Sequence, residues 1–198
     1  ARNNIFGHPS TFGDTSAMEF VEGIVPLLLL LLLGLAGAAV KLYRDRQEPF
    51  DSAKPALVSD ETMSVVKLPG GHILFVPATR VSDTHGVAYI PGALVNHLAY
   101  APLCREIARL SKLPVLLLSV TFRLAILGKG TITSALKTHA TTAQVTSWML
   151  GGHSMGGMVA STLAELPSIT AIFLHGSYAA ASLKKLPVLQ VLAEHDEL

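Results

Sequence analysis

The chain has 198 residues, of which 50% are hydrophobic and 15% charged, and its formal net charge is +1. That apolarity excludes a disordered polypeptide, and a near-zero charge without Lys/Arg clusters interleaved with aromatics excludes a nucleic-acid partner. The single cysteine, Cys104, excludes an internal disulfide; within residues 103–110 it sits beside a helical apolar face and is expected to be a buried structural thiol.

Residues 1–23 form an N-terminal segment. Position 1 is not Met, whereas Met18 stands just before an apolar run, so residues 1–17 are read as non-native or as the tail of a longer region. Residues 24–40 carry no charge and include unbroken leucine from Leu27 to Leu33. Their length is at the lower limit of what spans a hydrocarbon core of roughly 30 Å. The small residues Ala36-Gly37-Ala38-Ala39 suit a cleaved signal, but Asp14, Glu19 and Glu22 precede the run and Arg2 is the one strong base before it. Lys41, Arg44 and Arg46 follow, and by the positive-inside rule they leave the rest of the chain on the cytoplasmic side. The expectation is an uncleaved single-pass anchor over residues 24–40, then a polar linker over residues 41–60 with Pro49 and Pro55, then a folded domain over residues 61–198.

Residues 63–68 and 72–76 are rich in β-formers and flank Pro69-Gly70-Gly71, the pattern of a hairpin. A third strand covers residues 86–90 and ends in Pro91-Gly92-Ala93. An amphipathic helix is expected over 100–110 and a buried strand over 114–120. Residues 125–136 read as a mixed region, and 128–143 show only Thr-rich polar character. Strands over 145–150, 169–174 and 188–192 and a helix over 155–166, ended by Pro167, complete the pattern. Strands alternating with helices predict an α/β class, with a mainly parallel sheet flanked by helices.

Gly152-His153-Ser154-Met155-Gly156 is a G-x-S-x-G run between a strand and a helix. Such a turn must reverse sharply to present one hydroxyl above the end of a sheet, and only small residues fit beside it. Ser154 is therefore the candidate nucleophile. A serine hydroxyl is weak at neutral pH, so it needs a base, an acid orienting that base, and donors for an oxyanion. The N–H of Met155, opening the helix, is one expected donor; Ala93 or its neighbour Gly92, after the third strand, supplies another. Asp196, beyond the last strand, is the candidate acid. Of the eight histidines, none follows it. His153 is expected to diverge from Ser154 and pack beside the elbow. His175 is the one internal candidate base at the correct sheet end, and His85, His97 and His139 read as surface or capping residues.

Tyr89-Ile90-Pro91-Gly92-Ala93-Leu94-Val95, Tyr100-Ala101-Pro102-Leu103, Phe122-Arg123-Leu124-Ala125-Ile126-Leu127, Leu150-Gly151-Gly152-His153-Ser154-Met155-Gly156-Gly157 and Pro187-Val188 running to Asp196 resemble successive blocks of the α/β-hydrolase fold-5 family. The resemblance covers about residues 60–198, with Ala193 where a glycine often opens the acid loop. It implies the α/β-hydrolase fold, C-terminally truncated, and a serine hydrolase cleaving an ester or related acyl bond. In that scheme Ser154 is the nucleophile, Asp196 the acid, and the histidine lies in a later segment. No metal or organic cofactor is called for. The implied substrate is a small-molecule or lipid ester, with the membrane reached through residues 24–40. The terminal His195-Asp196-Glu197-Leu198 has a second meaning: at a true C-terminus it is a retrieval signal of the endoplasmic reticulum lumen. On that alternative the protein is an inactive, hydrolase-like binding scaffold. The first residue, the absent histidine and the position of Asp196 favour a fragment instead.

Overall fold

A computed structural model describes residues 15–44, 49, 51–183 and 185–192, with side chains in the first helix from 24 to 41. Residues 1–45 and 46–198 are separate units. The first holds α1 (Thr15–Arg44), whose window Ile24–Lys41 has a mean hydropathy of 2.4 and no buried residue. A helix this long and apolar all round is able to cross a bilayer.

The second unit is built on a seven-stranded sheet: β1 (Met63–Lys67), β2 (Ile73–Pro77), β3 (His85–Ile90), β4 (Val115–Leu117), β5 (Ser147–His153), β6 (Ile169–His175) and β7 (Val188–Val191). Its spatial order is β1-β2-β4-β3-β5-β6-β7. β2 runs antiparallel to β1 and β4, and every later pairing is parallel. The hairpin turns where expected, with Gly70 and Gly71 at φ +82° and +79°, angles that favour glycine. Strand alternation then sorts the core. Leu74, Ala88, Ile90, Leu116, Leu150 and Ile172 face α3 (Lys129–Ala143) and α4 (Met155–Thr162). Phe75, Val87, Tyr89, Val115 and Leu117 face α2 (Ala101–Ser111), where Cys104 is fully buried as expected. Over β5 to β7 this second face carries a groove of about 540 Å³ bordered by Leu103, Ile107, Met149, Phe173 and Leu189.

Several elements differ from expectation. The Thr-rich stretch is not a mixed region but the regular helix α3. Its β-branched residues lower intrinsic propensity, yet Ile132, Ala135, Leu136, His139 and Ala143 recur at helical spacing and all are buried, so packing overrides propensity. α4 stops at Thr162, short of the expected end at 166. There the hydroxyls of Ser161 and Thr162 donate to the carbonyls of Met158 and Val159, and the N–H of Leu163 turns to the Ala160 carbonyl in a tighter bond. Within residues 41–60, expected as a linker, Asp51–Leu57 forms a 3-10 helix with Ala53 and Ala56 buried, and the Arg105 guanidinium donates to the carbonyls of Ala56 and Val58.

His139, expected on the surface, is only 5% exposed. Its ring meets His72 edge to face at 5.2 Å, and the Ser119 N–H donates to Nδ1 of His72 at 3.0 Å. Burial, reinforced by the neighbouring His139 and His97, pushes the His72 pKa down to about 4. The folded protein therefore holds His72 neutral, while the unfolded chain takes up a proton near pH 6.5. Stability from this site is whole above pH about 6.5 and is lost as pH falls toward about 4, by on the order of 3 kcal/mol in total. Urea midpoints recorded from pH 7.5 to 4.5 are expected to fall across that window. In His72→Asn, whose amide oxygen still accepts from Ser119, the slope should flatten.

Candidate active site

Strands β3 to β7 present their carboxyl ends at one edge of the sheet, where the order reverses about β3. The chain leaves β3 toward α2 on one face and leaves β5 into α4 on the other, so the loops after these adjacent strands part and open a crevice. Ser154 stands at this position. It joins β5 to α4 with φ 51° and ψ −122°, and it is exposed. Its N–H donates to the His175 carbonyl at 3.0 Å, and its own carbonyl accepts from the N–H groups of Gly157 and Met158 and from the Ser177 hydroxyl at 2.7 Å. Four hydrogen bonds thus hold a backbone geometry that a serine resists.

The elbow forms because the neighbouring glycines let strands close. A Cβ on Gly152 or on Gly156 would overlap the Ile90 carbonyl oxygen, and the latter would also lie 2.7 Å from that of Pro91. The loop after β3 is thereby brought against the elbow. Within that loop, the Gly92 N–H donates to the Tyr100 hydroxyl at 3.2 Å and the Leu94 N–H to the Arg123 carbonyl at 2.8 Å. The N–H between them, that of Ala93, has no acceptor among the described residues, and neither has that of Met155 at the start of α4. Asp196 lies outside the described residues.

Backbone strain concentrates at the same edge. Among the described non-glycine residues with positive φ, Lys112 and Gln144 are ordinary left-handed caps of α2 and α3. The others, Leu94, Phe122, Arg123 and Ser154, lie on the loops after β3, β4 and β5. Such residues persist only where surroundings over-determine them, and they gather at functional sites.

Beneath the elbow lies a box of rings that the sequence did not disclose. His153 packs beside the elbow as expected, and its Nδ1 is 3.0 Å from the Tyr100 hydroxyl. His175 makes a parallel bond of 2.7 Å from its Nδ1 to the Tyr89 hydroxyl. The imidazoles stand 5.1 Å apart and the phenols 5.3 Å apart. Burial pushes both phenols above the usual tyrosine range, so both keep their protons. These partners are far apart in the chain, and no local pattern pairs them. Among the described residues no cluster of His, Cys, Asp and Glu is suited to hold a metal ion.

A family model described as "Alpha/beta hydrolase family" matches residues 86–198. Among solved structures, the chain is similar to a bacterial heroin esterase (18% identity, 64% of this chain and 48% of that one, TM-score 0.48). It is also similar to esterase B from Lactobacillus rhamnosis (18% identity, 79% and 59%, TM-score 0.49) and to a bacterial esterase of the hormone-sensitive lipase family (17% identity, 63% and 47%, TM-score 0.49). The chain spans roughly half the length of these proteins. No curated protein matches it.

The φ of 51° at Ser154 has a measurable consequence. Glycine relieves the left-handed strain and alanine keeps it, so Ser154→Gly should be more stable than Ser154→Ala by about 1 kcal/mol. Thermal unfolding checks this as a midpoint difference of about 2–4 °C in favour of glycine.

Proposed function

The chain belongs to the alpha/beta hydrolase family, and from that premise we propose that it is a serine hydrolase cleaving an ester or related acyl bond. The observation that carries this reading is the exposed Ser154, at φ 51° where β5 meets α4 beside the sheet's reversal point, together with the N–H groups of Met155 and Ala93, which have no acceptor among the described residues. Ser154 Oγ attacks the acyl carbon as its proton passes to a histidine base, which Asp196 orients. The carbonyl oxygen gathers charge and is received by the N–H groups of Met155 and Ala93. Donors held by the backbone cost little reorganisation as that charge develops. Collapse of the tetrahedral intermediate expels the alcohol with the proton held by the histidine, and water then releases the acyl group from Ser154.

Two features support Ala93 as the second donor. Its N–H lies between two occupied ones, those of Gly92 and Leu94, and has no acceptor among the described residues. The loop also touches Gly156, one residue past Met155. A donor of this kind is worth about 10²–10³ in kcat. The long apolar α1 and the basic residues Lys41, Arg44 and Arg46 support a single-pass anchor with the hydrolase domain, residues 61–198, on the cytoplasmic side. That location suits small-molecule or lipid esters.

A fluorophosphonate probe applied to the full-length protein is expected to label it, and Ser154→Ala should abolish labelling. Labelling that survives the substitution, or never occurs, would sink the hydrolase reading in favour of a binding scaffold. For topology, protease added to sealed microsomes should digest the domain; a protected domain would place it in the lumen.

A further inference from the structure

We propose that Tyr100 is the positioning residue of the loop after β3, its phenol tying Gly92 to His153 and so holding the Ala93 N–H against the serine elbow. The inference rests on the hydrolase reading and adds to it the part that keeps the two halves of the oxyanion site in register. Those halves come from different elements: Met155 opens α4, and Ala93 lies on the loop between β3 and α2. Their separation must be held to a fraction of an ångström for both to reach one oxygen.

The phenol makes the link through two hydrogen bonds. Its oxygen accepts from the Gly92 N–H at 3.2 Å, and the hydroxyl is hydrogen-bonded to Nδ1 of His153 at 3.0 Å. His153 is the last residue of β5 and is bonded covalently to Ser154, so a bond to its ring is a bond to the elbow. Tyr100 is itself fixed. It is the last residue of the 3-10 helix His97–Tyr100 and the cap of α2, and its ring leans on Tyr89 at 5.3 Å and on His153 at 5.9 Å.

The packing around Gly92 agrees. A Cβ there would stand 2.8 Å from His153 Nδ1 and 2.9 Å from the Tyr100 hydroxyl, so any side chain would push the linked groups apart. On the other side of Ala93, the Leu94 N–H is held by the Arg123 carbonyl at 2.8 Å. Ala93 therefore hangs between two anchors. The Arg123 anchor reaches the loop after β4, and the Tyr100 anchor reaches the serine. Loss of the second should leave the loop in place but free its angle to the elbow.

The test is Tyr100→Phe in the full-length protein with a neutral aryl ester. The phenyl ring keeps the stacking and loses both hydrogen bonds. The expected result is a fall in kcat of about 10-fold with KM unchanged, and an equal loss of affinity for an aryl boronic acid that mimics the tetrahedral intermediate. His153→Gln severs the same bridge from its other end. Because the two substitutions remove one link, the double variant should be no slower than the slower single variant. Multiplying losses, a rise in KM at constant kcat, or unaltered boronic acid affinity would each overturn the proposal. Ser154-dependent fluorophosphonate labelling is read in parallel. Its absence from the parent protein overturns the hydrolase reading, and this proposal with it. Its presence with kcat unmoved in Tyr100→Phe overturns the role of Tyr100 alone.

Discussion

The carbonyl oxygens of Ile90 and Pro91 lie against the Cα atoms of Gly152 and Gly156, and this contact brings the loop after β3 to the serine elbow. No other residue type fits there, because a Cβ at either glycine would occupy the space of the Ile90 oxygen. The contact is possible only because β3 and β5 pair in parallel, with Ile90 opposite Gly152. A register slip would put a side chain where the glycine stands and separate the elbow from its loop. The crevice thus follows from sheet registry, and its chemistry follows from the crevice.

The same edge bears the backbone's strain. Left-handed φ at Leu94, Phe122, Arg123 and Ser154 costs on the order of 1–3 kcal/mol apiece, and the sheet beneath compensates. At its centre that sheet is packed on both faces, with Leu74, Leu116, Leu118 and Leu150 on one and Phe75, Val115 and Leu117 on the other all fully buried. A rigid platform of this kind lets loops keep conformations that they would abandon alone. The paired tyrosines and histidines below the elbow extend that rigidity to the strand ends. His175 does so twice, since its carbonyl receives the Ser154 N–H while its ring is held by Tyr89.

Strands were legible where alternation and turn residues coincide, as at Pro69-Gly70-Gly71 between β1 and β2. The helix α3 was not, although its buried positions are spaced as a helix requires. Five threonines and Gly130 mask that spacing, and the helix forms because Ile132 and Leu136 bury themselves against the sheet. The burial of His139 is hidden for the same reason: a histidine in a polar stretch looks like surface until the helix turns it inward.

Ser154 and the turn that presents it were written in five consecutive residues, since the steric demands of an elbow are local and leave a local trace. The α/β class was likewise contained in the periodicity of strands and helices. Tertiary structure alone decided that the Gly92 and Leu94 N–H groups are occupied while that of Ala93 has no acceptor among the described residues, because Tyr100 and Arg123 reach the loop only after the chain folds back. It also decided that His153 and His175 belong to a ring box, with hydrogen-bond partners 53 and 86 positions away. Hydrogen bonds are short and directional, so whether a polar group is free or taken depends on where the fold brings its neighbours, and spacing along the chain does not carry that information.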